Sequence, residues 1–171
     1  MPPLIKDEIQ KITVTTPAHI VFDPIPQTYI NLFFHGELRA VNVATSDQLI
    51  VRFNNDTTDS NYYKQLTYSV AAGAIGAEGT PVAHAVTAAS SPAGNYCTFH
   101  ASIHRYTNAS YRKSYFFRYN GRTTVAGDGI QGFGIVIYII NNPITRVDFV
   151  TQSGNLFDTG SWVRMIGQKS G

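Results

Sequence analysis

An all-β fold, a single-domain sandwich of two sheets spanning residues 1–171, is predicted by three observations. Nearly every segment alternates apolar and polar residues at period two, the spacing of a half-buried strand. Gly, Asn and Pro turns punctuate these segments at short intervals, as in sandwiches. No stretch shows the 3.6-residue period of an amphipathic helix.

The elements follow in order. Ile12 and Val14, then Ile20 and Phe22, read as strands on either side of Thr16-Pro17. Asp23-Pro24-Ile25-Pro26 breaks the pattern, because two prolines remove backbone donors. Ile30, Leu32, Phe34, Leu38 and Ala40 continue it, with Gly36 as an expected bulge or bend. Leu49, Val51 and Phe53 alternate with Ile50, Arg52 and Asn54 and run into the Asn54-Asn55-Asp56 turn. A further strand carries Leu66, Tyr68 and Val70 on one side. Residues 71–95 are rich in Ala, Gly, Ser and Pro and read as a long loop with one short edge strand near Val82–Val86; loops of that length are functional or mobile. Cys97, Phe99, Ala101 and Ile103 restart the alternation, Tyr111–Tyr119 follow, and Gly127-Asp128-Gly129 is a turn. Phe133, Ile135, Ile137 and Ile139 alternate with Gly134, Val136, Tyr138 and Ile140, so both sides are apolar. Such a strand is buried inside the sandwich or in a subunit contact. Ile144–Val150 and Gly154–Met165 complete the chain.

Composition narrows the function classes. Charged residues are 14% of the chain, against roughly 25% in an average soluble domain. With 10 Tyr and 10 Phe, that leaves a surface suited to adhesion. A net charge of +2 is too small to argue for nucleic acid by bulk electrostatics. Cys97 is the only cysteine, so no disulfide forms within the chain, and its neighbours Tyr96, Thr98 and Phe99 point to a buried strand position. Residues 1–20 lack the apolar core of a signal peptide, and the longest apolar stretch, Phe133–Ile140, is far short of a membrane span. The expectation is a soluble protein made in the cytoplasm, without membrane or nucleic-acid partners.

Candidate chemistry is sparse. His100 and His104 have the i, i+4 spacing of a helical metal pair, but on a strand they stand roughly 13 Å apart. Asn54, Asn55, Asp56 and Asp59 gather oxygens without the spacing or terminal Glu of an EF-hand, which favours a self-bonded turn over calcium. No nucleophile elbow, P-loop or dinucleotide fingerprint is present. No cofactor and no catalytic residue is expected. The candidate partner surface is the basic, aromatic stripe holding Arg105, Tyr111, Arg112, Lys113, Tyr115, Arg118 and Tyr119, where rings interleave with cations and no acid intervenes. The candidate subunit contact is Gly134, Val136, Tyr138 and Ile140.

Three blocks carry a family likeness. Ile25-Pro26-Gln27-Thr28-Tyr29-Ile30-Asn31-Leu32 comes first. Arg52-Phe53-Asn54-Asn55-Asp56 with Asn61-Tyr62 comes second. Gly154-Asn155-Leu156-Phe157-Asp158-Thr159-Gly160-Ser161, ending near Gly167, closes the series. In this order they resemble a family of small virion structural proteins of tailed bacteriophages. The family has Gly after its Phe-Asn pair; here Asn55 stands there, a residue that tolerates positive φ. The resemblance implies a jelly-roll sandwich on the virion surface, made in the bacterial host cytoplasm. It also implies partners among the major capsid protein or other virion proteins and, by analogy with jelly-roll virion proteins, a homotrimer. Two roles follow: a decoration or cement protein on the assembled head, or a receptor-binding or fibre-tip module gripping a host-surface glycan. A tail or collar accessory role is a third. The short segments beyond the strand-like residues at both ends favour attachment through the folded surface, hence decoration.

Overall fold

The computed structural model describes residues 6–69, 74–75, 82–124 and 129–169. The strands are β1 (Lys6–Thr13), β2 (Ile20–Phe22), β3 (Asn31–Leu38), β4 (Ser46–Phe53), β5 (Tyr62–Ser69), β6 (Ala74–Ile75), β7 (Val82–Thr87), β8 (Cys97–His104), β9 (Lys113–Arg122), β10 (Gly129–Tyr138), β11 (Val147–Thr151) and β12 (Trp162–Gln168). Among the described residues the one helical piece is a single 3-10 turn, Asp59–Asn61. The larger sheet runs β1-β12-β3-β8-β9-β10-β5-β6 and the smaller runs β2-β11-β4-β7. The two pack face to face as a β-sandwich over one contiguous hydrophobic core.

The chain changes sheet at most of its connections. Set aside β5, β6, β9 and β10, and the other eight strands form two interlocked sheets, β1-β12-β3-β8 and β2-β11-β4-β7. First and last strands pair in one sheet, β2 and β11 in the other. The four extra strands arise as two excursions, one after β4 and one after β8. These excursions pair with each other through β10 and β5 and extend the larger sheet beyond β8. β7 packs beneath that extension against β9 and β10.

The inner layer is aromatic. Phe34 of the larger sheet meets Phe22 and Phe149 of the smaller one edge-to-face, with centroids 5.7 and 5.4 Å apart. Edge-to-face geometry places a ring's positive rim on its neighbour's negative face. Phe99, Phe53 and Tyr115 continue the layer. The inward set Cys97, Phe99, Ala101 and Ile103 on β8 is buried as its alternation predicts. Gly36 differs from expectation. It lies in an unbroken ladder between β12 and β8, not at a bulge. A Cβ there would stand 2.4 Å from the Trp162 carbonyl oxygen and 2.9 Å from the Phe99 ring, so the glycine serves close packing.

The segment expected as a loop over 71–95 divides. Residues 70–73 and 76–81 lie outside the described residues, as does most of the turn at 125–128. Beyond them β7 is the edge strand of the smaller sheet, with Ala83 and Val86 fully buried, so the small residues there do fill core. The stretch from Ala88 to Asn95 is tied by backbone bonds to residues 42–45, by Thr87 Oγ1 to Asn95 O, and above all by one long side chain. Arg39, at the end of β3 and 7% exposed, donates to the carbonyls of Pro92, Asn95, Ala89 and Ser91, and its Nε lies 3.5 Å from the Asp158 carboxylate.

The three sequence blocks form corners of this fold. In the first, Gln27 donates to Ile144 O, Tyr106 donates to Pro26 O, and the Tyr29 ring covers Gly167 of the closing block so closely that a Cβ there would overlap it. In the second, Asn54 and Asn55 both take positive φ, at 53° and 58°. The Asn54 side chain accepts from Thr145 N and Arg146 N and donates to Pro143 O, bolting the turn to the β10–β11 connection. In the third, Ser161 Oγ accepts from Arg39 N and donates back to Arg39 O.

Two substitutions test this account. Arg39→Met removes four hydrogen bonds and an ion pair and takes from Ala89 O and Ser91 O the guanidinium that serves them, so unfolding in urea should show a loss of about 3 kcal/mol or more, of which Arg39→Lys restores only part. Tyr115 is fully buried and its hydroxyl has no partner among the described residues. Tyr115→Phe should therefore stabilise by about 1 kcal/mol, read as a rise of about 3 °C in Tm; a fall in Tm would contradict the assignment.

Candidate functional site

The period of two splits the expected basic stripe between faces. Lys113, Tyr115 and Tyr119 of β9 point into the sandwich and are buried. Burial lowers the Lys113 pKa, and its Nζ donates to the carbonyls of Asn108 and Tyr111. Arg105, Tyr111 and Arg112 sit at the β8–β9 turn, where the Arg105 guanidinium lies 5.7 Å from the Tyr111 ring centroid. Only Arg118 of the seven reaches the open face of the larger sheet. Lys113, Tyr115 and Tyr119 are therefore structural, not a partner surface, because strand residues one apart cannot share a face.

The expected subunit contact is corrected in the same way. Val136 and Tyr138 are 0% and 3% exposed within one protomer. The space at Gly134 is filled by the Phe117 ring, 2.7 Å from where a Cβ would stand. Ile140 lies beyond the strand and is half-buried against the core. The homotrimer expectation loses its support there. The opposite side of β10 is the open one: Gln131, Phe133, Ile135 and Ile137, with Phe133 62% exposed.

Cross-strand register assembles a surface around those residues. One row reads Arg164, His35, His100, Arg118 and Phe133 across β12, β3, β8, β9 and β10. The next reads Ile166, Phe33, Ser102, Phe116 and Ile135. His35 and His100 stack with centroids 4.5 Å apart and planes 10° from parallel, and Trp162 meets His35 edge-on at 5.0 Å. His104 stands edge-on between Phe33 and Phe116. The His100 pKa is lowered by burial, then by the His35 ring and by Arg118. A shallow groove of about 320 Å³ opens between Phe33 and Phe116, floored by Ala101 and Phe117. A second, of about 230 Å³, lies along Thr98 and Asn120. His100 and Arg118 line both.

Charge on this face is one-sided. Strands β5, β8, β9 and β10 contain no Asp or Glu. Toward the β1 edge carboxylates occur, but each has a partner: Glu8 with Arg164, Asp7 with Lys169, and Glu37 with the Trp162 indole N–H. Arg118 has neither an ion pair nor a hydrogen bond among the described residues. Sequence reasoning found Arg118 but missed Phe33, His35, His100, Phe116 and Phe133 as a group. Their shared signal was being the out-of-phase residues of their strands; what assembled them was strand order.

The other titratable features are structural. Asp56 accepts from Thr58 N, Asn61 Nδ2 and Tyr138 OH; burial opposes its ionisation, but these bonds prevail and lower its pKa. Tyr138 is pushed up to about 12 by burial and by that carboxylate. The Asn54–Asp59 segment is thus only partly self-bonded, through Asp56, while Asn54 bonds to the β10–β11 connection; among the described residues no cluster of three His, Cys, Asp or Glu is placed to hold a metal. Cys97 is buried, its Sγ donating to Ala85 O, and burial raises its pKa. No protein-family model, no curated protein and no solved structure matches this chain.

His84 gives the site region its pH dependence. It is fully buried among Phe99, Phe117 and Tyr119. Its Nδ1 faces Ala85 O, which only accepts, so Nδ1 carries the proton and Nε2 is left without a partner. Burial lowers its pKa to about 4. Between the unfolded value of about 6.5 and that folded value, the unfolded chain binds more protons, so stability falls as pH falls through this window. The limiting loss is roughly 3 kcal/mol. His84→Phe should flatten the fall of Tm between pH 6.5 and 4 relative to wild type; parallel curves would refute this.

Proposed function

We propose that this chain is a non-enzymatic structural protein of a tailed-bacteriophage virion, a decoration or cement protein that docks on the assembled head. The observation that carries the reading is the open face of the larger sheet: broad, aromatic, poor in charge and free of carboxylates over four strands. A monomer rarely leaves so continuous an apolar surface in water. The likeness of the three blocks to virion proteins supports the setting, and their meeting at corners of one fold is in keeping with a shared scaffold. The strand order of the eight interlocked strands supports a jelly roll, an eight-stranded double Greek key. The partner in this reading is the major capsid protein, and the location is the virion surface.

One observation favours a second reading. The groove between Phe33 and Phe116, with His100 and Arg118 on its rim, has the size and lining of a sugar subsite, as a receptor-binding module would need.

Particles lacking the protein separate the two. For a decoration protein, they should lose resistance to heat and osmotic shock and regain it when purified protein is added back. Particles that stay robust but fail to adsorb to host cells, with added protein competing for those cells, would establish the receptor reading instead.

A further inference from the structure

We infer that the occupant of the open face is a protein surface that presents a carboxylate, from Asp or Glu, set among apolar side chains, and that Arg118 receives it. The inference rests on the docking reading and specifies its chemistry.

The reasoning starts from position. Phe116 lies two residues before Arg118 on β9, and Phe133 stands directly opposite Arg118 on β10. These two rings are among the most exposed large apolar groups of the described residues, at 46% and 62%. Any surface that covers both rings and the groove beside Phe116 also covers Arg118, which lines that groove. Desolvating a charge without a counter-ion costs several kcal/mol, enough to cancel much of the apolar gain. Among the described residues none supplies that counter-ion, since β5, β8, β9 and β10 carry no acid and the nearby carboxylates are engaged. The partner must therefore bring it. A carboxylate matches a guanidinium with paired N–H donors, and the His100 ring, stacked on His35, lines the groove beside Arg118.

Charge and area select the partner class. A second copy of this face carries no acid on β5, β8, β9 or β10 and so would bring Arg118 no counter-ion from those strands. A single acidic sugar would satisfy Arg118 in the groove but leave Phe133, Ile135, Ile137 and Tyr63 in water. Those residues continue the apolar surface across β10 to β5. The face from β3 to β5 measures roughly 24 by 25 Å at standard strand spacing, about 600 Å², the share each partner contributes to the smaller stable interfaces.

The test uses phage heads lacking the protein, reloaded with purified variants. Arg118 makes no hydrogen bond or ion pair among the described residues, so Arg118→Gln should keep the wild-type Tm while binding heads at least tenfold more weakly. Phe116→Ser should behave likewise, and Arg112→Gln, at the turn, should bind as wild type. Arg118→Lys places an amine at the site, and a zero-length carbodiimide should then join position 118 to an Asp or Glu of the capsid, located by peptide mass spectrometry. Equal head binding by wild type and Arg118→Gln, with no cross-link, would overturn the inference and leave the docking reading standing. A cross-link in intact virions to a collar or tail carboxylate would keep the inference and overturn the head reading. No head binding and no cross-link in virions would overturn both. Saturable binding of N-acetylneuraminic acid to the free protein, seen in the His100 ring resonances and lost in Arg118→Gln, would replace the protein partner by a glycan. Self-association in sedimentation that Arg118→Gln abolishes would replace it by a second copy.

Discussion

The contact on which this structure depends is the aromatic layer between the sheets, centred on Phe34, Phe22 and Phe149. Phe34 sits on β3, while Phe22 and Phe149 sit on neighbouring strands β2 and β11 that are far apart in the chain. The layer therefore forms only when the interlocked strand order is in place. Since the chain crosses between sheets repeatedly, few strand pairs are joined by a simple hairpin. Stability is correspondingly a property of the whole sandwich, with most contacts bridging distant segments.

Closing such a fold requires polar groups to be buried at its corners, where connections leave one sheet for the other. Three side chains carry most of that task. Arg39 binds the carbonyls of the β7–β8 connection, Asn54 those around β10–β11, and Tyr62 OH accepts from Phe53 N while donating to Asp56 O. Buried carbonyls and amides need partners, and a loop that cannot pair with a strand must find them in side chains. The oxygen-rich Asn54–Asp59 segment is understood the same way: Asp56 accepts from Thr58 N and Asn61 within the turn and from Tyr138 OH, and Asn54 Oδ1 accepts from the β10–β11 connection.

The candidate surface is a by-product of the two excursions that widen the larger sheet. β9, β10 and β5 extend it past the four strands that its partner sheet supplies, and β7 covers the inner side of the extension. Among the described residues nothing covers the outer side. Its low charge is the local expression of a composition with few acids, and Arg164 and Arg118 share one row with the stacked histidines. A surface of that kind discriminates partners through Arg118 and gains area from the surrounding rings.

The sequence by itself determined the class of fold, the position of most strands and the in-phase sets such as Cys97, Phe99, Ala101 and Ile103, because side-chain alternation is a local property of extended chain. It also determined the Asn54-Asn55 turn, whose positive φ angles those residue types accept. Tertiary structure alone decided which side of β10 faces inward, since both sides are apolar and only packing against β7 and the Phe117 ring distinguishes them. It decided that Lys113, Tyr115 and Tyr119 serve the interior while Arg118 serves the surface. It decided, too, that Arg39, one cation among thirteen Lys and Arg residues in the sequence, is a buried hub. Neighbour relations between strands arise from pairings across tens of residues, and periodicity within a strand carries no record of which strand lies beside it.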